Sequence, residues 1–378
     1  MREFDLAIVG AGIVGAAAAY LTGKARPDWR VLLLDRSFVG DGATHYSAAL
    51  DLPFTRSLAQ KALVEESVRF YQALKLEHPE LPLHEISAAV AVPAADVQRV
   101  KESFVDQLQP AGADELAQLE NAYGTLILPQ DYVVLAGNNT RYARASEIAV
   151  SLVQYTCKHH NLECWEGTEV IDIRQENDNP QLICADGREV VARRVLAAIG
   201  PWMTNGPLAD FSRDCGVRIK KVAALHVDVP APRGAPVLYF AKEDAFLLPV
   251  HEERRLILSF TSEEWDCPPE ISRLRISAQD RAIALSVLER YCPGLIRHCH
   301  GGRVFCDAYS KDHVPLIVPV PDRKNFVVAG ACSGSGFRLA PGMARQALAL
   351  LGITETGSEG NLLYEKSTCA GASPHAER

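Results

Sequence analysis

The chain begins with apolar and polar stretches in a strand–helix–strand order. Residues 4–10 and 30–35 are short apolar runs that predict buried strands, and the alanine-rich stretch 13–24 predicts a helix between them. Buried strands that are joined through a helix pair in parallel. The pattern therefore predicts a βαβ unit at the start of the chain.

Later stretches show both the helical and the strand period. Amphipathic or apolar stretches predict helices at 58–75, 146–159, 278–292 and 341–351, and strands at 84–94, 125–135, 162–166, 170–173, 195–199 and 326–331. Residues 218–262 alternate short β-like runs with turns, which predicts an antiparallel sheet. The whole order predicts a mixed α/β protein whose parallel part is assembled from separated segments.

A glycine motif connects the first predicted strand to the first helix. Gly10, Gly12 and Gly15 have the spacing Gly-x-Gly-x-x-Gly, which permits a tight turn, a close approach of a pyrophosphate and close helix packing. Asp35 ends the second strand, where an acid binds a ribose hydroxyl. The motif predicts a dinucleotide but does not distinguish NAD from FAD. A second glycine-rich turn near the end of the chain favours FAD, which is contacted from both ends of the chain.

Composition and charge narrow the choice of partners. The chain has 378 residues, with 39 Lys and Arg against 47 Asp and Glu and a net charge of −8. Such a surface repels nucleic acid and anionic lipid, so we expect neither nucleic acid nor a membrane as a partner. The chain starts directly with the first strand, which predicts a cytoplasmic protein. The cysteines lack regular spacing, so we expect neither a metal site nor a disulfide framework.

The segment 327–342 carries a family resemblance. Its sequence, Val-Val-Ala-Gly-Ala-Cys-Ser-Gly-Ser-Gly-Phe-Arg-Leu-Ala-Pro-Gly, closely resembles the FAD-closing segment of the D-amino acid oxidase superfamily, which includes glycine oxidase and monomeric sarcosine oxidase. The loop 40–52, the segment 144–148 with Thr168–Val170, and the Ala198–Trp202 turn resemble further motifs of that family. The resemblance continues in order to about residue 352.

The resemblance implies a fold and a division of the chain. The fold is a Rossmann-like FAD-binding domain with an interleaved substrate domain built on an antiparallel sheet. The expected ranges are 1–80, 145–215 and 300–357 for the FAD-binding domain, 81–144 and 216–299 for the substrate domain, and 358–378 for a loosely ordered tail.

The resemblance also implies an activity. The family oxidises the C–N bond of a small amino acid or N-methyl amino acid by hydride transfer to flavin N5, with oxygen or another electron acceptor. FAD is expected to bind non-covalently. A covalent link stays open, because Cys306 lies within one residue of the position where monomeric sarcosine oxidases attach their flavin.

Particular side chains follow from the glycine motif and the resemblance. The expected cofactor-binding residues are Gly10, Gly12, Ile13, Val14, Gly15, Asp35, Arg36, Thr44, His45, Ser47, Ala48, Val170, Gly200, Trp202, Gly334, Ser335, Gly336, Phe337 and Arg338. The residues expected at the substrate are Arg338, Arg56, His45 and Tyr239, with His251 and Tyr309 from segments that line the site in relatives. Arg338 is a candidate cation for the flavin edge or a substrate carboxylate. Pro341 is expected in the first turn of the last helix.

Two departures from the family leave the reaction open. Sarcosine oxidases carry a lysine that promotes reaction with oxygen, whereas the matching run Leu256–Leu258 has none. The histidine of the family's closing turn is Ser335 here. A 2-hydroxy acid or polyol dehydrogenase, a tailoring enzyme for a large or carrier-bound substrate, and a non-enzymatic nucleotide binder therefore remain alternatives.

Overall fold

A computed structural model describes residues 2–55, 57–176 and 179–354. The expected substrate residue Arg56 and the expected tail 358–378 lie outside the described residues. The chain forms two compact units: unit 1 is the described part of Met1–Thr44, Ser146–Ile219 and Asp307–Arg378, and unit 2 is the described part of His45–Ala145 and Lys220–Cys306.

The elements confirm a mixed α/β fold. The strands in the described residues are β1 (Arg2–Phe4), β2 (Leu6–Val9), β3 (Val31–Leu34), β4 (Leu50–Asp51), β5 (Leu83–Pro93), β6 (Gln109–Pro110), β7 (Tyr132–Ala143), β8 (Leu162–Trp165), β9 (Val170–Glu176), β10 (Asn179–Cys184), β11 (Glu189–Ala192), β12 (Val195–Ala197), β13 (Arg218–Val227), β14 (Val237–Phe240), β15 (Ala245–Val250), β16 (Arg255–Phe260), β17 (Cys299–Tyr309), β18 (Leu316–Pro319) and β19 (Phe326–Gly330). The α-helices there are α1 (Ile13–Ala25), α2 (Ala43–Tyr46), α3 (Leu58–Glu77), α4 (Val97–Glu102), α5 (Ala113–Tyr123), α6 (Ala145–His159), α7 (Ala209–Asp214), α8 (Ala278–Tyr291) and α9 (Gly336–Leu350). Among them, none is both long and apolar enough to cross a membrane.

Unit 1 contains a parallel sheet. Its strand order is β18-β19-β12-β2-β3-β8, in which β18 alone is antiparallel to its neighbour. All residues of β2 and β3 are buried, as their apolar sequences require, and α1 packs against α9. The predicted βαβ unit is therefore confirmed. A second sheet, β1-β11-β10-β9, contains the hairpin whose turn residue Gly187 has a φ of +85°.

Unit 2 is built on one large sheet. The order is β17-β13-β16-β15-β14-β5-β7-β4, with β6 pairing to β7. Neighbours such as β15–β16 and β5–β7 are antiparallel, but β14 runs parallel to β5. The strands within 218–262 pair antiparallel as predicted, whereas the large sheet departs from an antiparallel arrangement at the β5–β14 pair. Residues 94–236 separate the two strands, so no tight turn forces them to run in opposite directions.

Residues 45–80 fall in unit 2, although the sequence placed them in the FAD-binding domain. The pairing of Leu50 with Tyr142 and of Asp51 with Arg141 attaches this segment to β7. The roles of the two units, and the boundaries expected from the resemblance, stay predictions.

Two local predictions differ from the structure, and one helix was not predicted. The strand expected at 125–135 begins only at Tyr132. Helix α5 precedes it and was not predicted; its start is stabilised by Glu115, whose carboxylate accepts the Gly112 N–H at 2.9 Å. The last helix begins at Gly336, so Pro341 lies inside it rather than in its first turn.

Candidate functional site

The turns predicted to bind the cofactor lie along one edge of the parallel sheet of unit 1. Strands β19, β12, β2 and β3 are neighbours and run in the same direction, so the turns that follow them meet at their carboxyl edge. These turns are Ala331–Ser335, Ala198–Trp202, Gly10–Gly12 and the segment from Asp35. Strand β2 lies between two neighbours. On one side is β3, the next strand of the chain, and on the other side is β12, which comes much later in the sequence. This edge is thus a topological switch point, where open α/β sheets bind nucleotides.

The glycine turn leaves no room for side chains. Gly10 has a φ of +100°, and a Cβ there would overlap the carbonyl oxygen of Ala198. A Cβ at Gly15 would overlap the carbonyl oxygen of Gly10. Gly12 is the N-cap of α1, which has neither a side-chain cap nor an acidic residue in its first turn. The first turn of α1 can therefore receive an anion.

Thr44 closes one side of this turn. The N–H of Ile13 donates to its Oγ1 at 3.0 Å, and a Cβ on Gly12 would lie 3.1 Å from the same oxygen. Thr44 therefore occupies one of the amides at the start of α1 and limits the space beside Gly12. Val14, the next residue of the helix, is buried.

Asp35 is held by the backbone around it. Its Oδ2 accepts the Ala11 N–H at 2.7 Å and its Oδ1 accepts the Ser37 N–H at 2.8 Å. Burial raises the pKa of Asp35, and these two hydrogen bonds oppose that effect. Each carboxylate oxygen has a further lone pair, so both can still accept a ribose hydroxyl.

Arg36 and Trp202 come together at the same edge. The Arg36 guanidinium lies over the indole ring, 4.2 Å from its centre. A Cβ on Gly42, where φ is +74°, would lie 2.8 Å from this ring. Gly200, with a φ of +56°, begins the short helix that carries Trp202. In the described part of the chain the indole N–H is buried without an acceptor.

The closing turn depends on a residue that sequence reasoning missed, Asp307. Ala331, Ser333 and Gly334 all have left-handed backbones, with φ of 51°, 52° and 78°. The Gly334 N–H donates to Asp307 Oδ2 at 2.7 Å, and the Ala308 N–H donates to Asp307 Oδ1 at 2.9 Å. Burial raises the pKa of Asp307 to about 6. The available signal was a charged residue inside the β-like run 304–308.

The first turn of α9 carries the remaining predicted residues of this segment. Arg338 is half-buried, and its Nη2 donates to Ser335 Oγ at 2.6 Å. Phe337 is buried, whereas Gly334 is exposed. A Cβ at Gly334 would lie 2.9 Å from the Tyr309 hydroxyl oxygen. Glycine is thus needed here both for its backbone conformation and for its lack of a side chain.

The predicted loop residues of unit 2 form a compact segment. His45 is exposed, and its ring contacts that of Tyr46 edge-on with a centroid separation of 5.0 Å. The Ala49 N–H donates to Ser47 Oγ at 3.0 Å, and Ala48 is half-buried.

A buried ion pair anchors the end of this loop. Asp51 is completely buried and lies 3.2 Å from Nη1 of Arg141, whose side chain is 5% exposed. The phenol of Tyr71 is buried beside them, and burial followed by the charge of Asp51 raises its pKa. Such a pair fixes the position of a segment more than it stabilises the fold.

A second missed residue, Arg303, contacts the same loop. Its side chain is 19% exposed, and its Nη1 donates to the Ser47 carbonyl oxygen at 3.5 Å. Its other contacts are Glu253 at 3.4 Å and Nε2 of His226 at 3.4 Å. Burial, and then the charges of Arg303 and Arg255, lower the pKa of His226.

The other predicted residues lie in separate places. Tyr239 is buried in β14, and its hydroxyl donates to Asp244 Oδ1 at 2.9 Å. Val170 is half-buried at the start of β9, in the second sheet of unit 1. His251 is half-buried after β15. Cys306 is buried in β17. No group of His, Cys, Asp and Glu that could hold a metal occurs within 2–55, 57–176 and 179–354.

Comparisons with known proteins agree with this geometry. A family model described as DAO, FAD dependent oxidoreductase, matches residues 5–350. Glycine oxidase from Geobacillus kaustophilus has a TM-score of 0.78 and 21% identity, covering 94% of this chain and 96% of that chain. L-proline dehydrogenase from P. horikoshii has a TM-score of 0.78 and 17% identity, covering 95% and 96%.

A third similar structure belongs to an enzyme that is not named for an amino acid. L-alpha-glycerophosphate oxidase from Mycoplasma pneumoniae, solved with FAD bound, has a TM-score of 0.76 and 14% identity, covering 93% of this chain and 95% of that chain. No curated protein sequence matches this chain. Because the identities are low, these structures show a shared fold and leave the substrate undetermined.

Proposed function

The chain belongs to the DAO family of FAD-dependent oxidoreductases, and from this premise we propose that it oxidises the C–N bond of a small amino acid or N-methyl amino acid. When bound, FAD supplies at N5 the acceptor for a hydride from the carbon beside the nitrogen. The protein's own contribution is to bind and orient the two molecules and to exclude water.

The residues at the carboxyl edge of the parallel sheet fit the cofactor. The glycines of the turn Gly10–Gly15 let an anion approach the start of α1, where Thr44 already accepts the Ile13 N–H, and Asp35 keeps free lone pairs for a ribose. We assign the pyrophosphate to the start of α1 and the ribose to Asp35. The closing turn, Ala331–Ser335, is assigned to the flavin because its left-handed backbone and the missing side chain at Gly334 permit a close approach.

The observation that favours an amino acid substrate is the half-buried Arg303. It contacts the carbonyl oxygen of Ser47, a residue of the expected cofactor loop. All its polar contacts are 3.4–3.5 Å long, well beyond the usual length of about 2.9 Å for a hydrogen bond of this type. A substrate carboxylate can therefore form shorter, charge-assisted hydrogen bonds to this guanidinium.

A carboxylate held by Arg303 also fixes the atoms next to it. The α-carbon and the amine nitrogen then occupy one position relative to the protein, which lowers the entropic cost of reaction. Loss of hydride from that carbon leaves a C=N bond, so the nitrogen must already be neutral. We assign no side chain as the base for this proton, and we expect the amine to bind in its neutral form.

The first experiment is an anaerobic absorbance screen of the holoprotein. Amino acids, N-methyl amino acids and 2-hydroxy acids are added in turn, and loss of the flavin absorbance band reports reduction. We expect bleaching by an amine, and recovery in air distinguishes an oxidase from a dehydrogenase. Bleaching by 2-hydroxy acids alone would replace this proposal with the hydroxy acid alternative, since these molecules also carry a carboxylate. No bleaching by any compound would favour a large or carrier-bound substrate.

Arg303→Gln tests the carboxylate assignment. Loss of a charge-assisted contact worth about 1.5–3 kcal/mol predicts a rise of about 10- to 150-fold in the substrate dissociation constant. The flavin spectrum of the variant should be unchanged. Arg297→Gln is the matched control, because Arg297 is an exposed arginine whose Nε contacts only the ring of His298 among the hydrogen bonds described. Equal affinities in both variants would contradict the assignment.

A further inference from the structure

Two buried thiols lie in direct contact in unit 2. The Sγ atoms of Cys267 and Cys306 are 3.1 Å apart, whereas nonbonded carbon atoms pack at about 3.5–4.0 Å. Cys267 is 7% exposed and Cys306 is 1% exposed. The contact joins β17 to the segment after β16, and 39 residues separate the two cysteines.

The surroundings give the two thiols different properties. Cys306 Sγ also approaches the Pro268 carbonyl oxygen, at 3.6 Å. Burial raises the pKa of Cys267, and the hydrogen bond with Cys306 acts in the opposite direction. A thiolate at Cys267 would thus be stabilised by the neighbouring thiol, and Cys267 is also the more exposed of the two. Because Cys267 is the more exposed thiol, an oxidant reaches it first, and Cys306 is placed to react with it.

We propose that Cys267 and Cys306 form a reversible dithiol–disulfide pair that a peroxide oxidises. The Cys267 thiolate attacks one peroxide oxygen, the O–O bond breaks, and Cys267 becomes a sulfenic acid while the other oxygen leaves as an alcohol or water. The Cys306 sulfur then attacks the Cys267 sulfur, the S–O bond breaks, and water leaves with the thiol proton. In total two thiols and one peroxide give one disulfide, one water and one alcohol or second water. The sulfur atoms together lose two electrons, which the peroxide gains.

The geometry requires only a small movement. A disulfide has an S–S distance of about 2.05 Å, so the two sulfur atoms must approach by about 1 Å. Among the other buried cysteines, Cys332 contacts the thioether sulfur of Met343 at 3.8 Å, and Cys184 in β10 has no sulfur contact described. The contact with Cys267 also engages the sulfur that a covalent flavin link would require, so we expect Cys306 to carry no flavin.

Peptide mapping of the full-length holoprotein tests the proposal. The protein is treated with hydrogen peroxide, remaining thiols are alkylated under denaturing conditions, and the unreduced digest is analysed by mass spectrometry. We expect a linked peptide pair that contains Cys267 and Cys306 and is lighter by two hydrogens than the separate thiol peptides. A thiol reductant should abolish it. Cys267→Ser should remove the linked pair, whereas the control Cys184→Ser should retain it.

Several outcomes would overturn the proposal. Both cysteines could stay fully alkylatable under conditions that oxidise the exposed Cys157. Cys267 could instead end as a sulfinic or sulfonic acid while Cys306 remains a thiol. A flavin adduct on the Cys306 peptide would show that this sulfur reacts with the cofactor. The mapping of the unsubstituted protein decides among these outcomes even if Cys267→Ser does not fold.

Discussion

Asp307→Asn removes a buried negative charge while it keeps the size of the side chain. Asp307 accepts N–H groups from Gly334 and Ala308 and so holds the closing turn. A protonated carboxyl group and an Asn side chain are both neutral, and each has a carbonyl oxygen that accepts and a second group that donates, a hydroxyl in the acid and an NH2 in Asn. The substitution therefore imitates the protonated form of Asp307 at every pH.

The magnitude follows from the pKa of Asp307, which burial raises from 3.8 to about 6. One pKa unit corresponds to about 1.36 kcal/mol, so the difference of about two units corresponds to roughly 3 kcal/mol. Because the folded protein keeps this proton to a higher pH than the unfolded chain, Asp307 lowers the free energy of unfolding as the pH rises from about 4 to 6. Above pH 6 both states are ionised and the loss is constant. Asp307→Asn should lack this loss.

The assay is urea unfolding of the FAD-saturated protein at pH 4, 5, 6 and 7, with and without the substitution. The stability difference between Asp307→Asn and the unsubstituted protein should shift by about 3 kcal/mol in favour of the variant between pH 4 and 7. Asp312→Asn is the control, because Asp312 is an exposed acid that accepts from Ser310 and Val314. Parallel stability curves for Asp307→Asn and the unsubstituted protein would refute the effect of burial on this carboxyl group.

Two further predictions concern the glycine turn and the loop of unit 2. Gly12→Val should raise the FAD dissociation constant by at least about tenfold, or about 1.4 kcal/mol, because its Cβ would press on Thr44 Oγ1 at 3.1 Å. Flavin fluorescence titration measures this change, and Gly294→Val, where nothing lies within 4 Å, should leave it unaltered. Asp51→Asn or Arg141→Met should each lower the free energy of unfolding by about 3–5 kcal/mol, since either breaks a buried ion pair. The double substitution should recover most of that loss, and additive losses in urea unfolding would argue against a coupled pair.

The glycine turn after β2 could be predicted from the sequence because its signals are local. Gly10, Gly12 and Gly15 are close in the chain, and each glycine meets a specific steric limit in the structure. Asp35 follows at a fixed distance along one strand–helix–strand unit. The resemblance to the family, the fold class and FAD as the cofactor are likewise confirmed.

The contacts that hold the predicted loops in place could not be predicted from local sequence signals. Asp51 and Arg141 are 90 residues apart, and Ser47 and Arg303 are 256 residues apart. Neither pair lies within a local motif, so only the tertiary fold brings the partners together. The parallel pairing of β5 with β14 was missed for the same reason, since apolar runs show that strands exist but not which ones are neighbours.

In unit 1, strained backbone and a buried charge lie at the same edge of the parallel sheet as the glycine motif. Ala331 and Ser333 have left-handed backbones, which cost on the order of 1 kcal/mol each for residues with a side chain. The ionised Asp307 beside them is stabilised by backbone N–H groups and adds a burial cost of similar or larger size. Favourable packing elsewhere must offset these backbone and burial costs. Proteins keep such unfavourable features mainly where function needs that geometry. These costs therefore support the proposal that the closing turn is a functional segment, independently of its sequence resemblance.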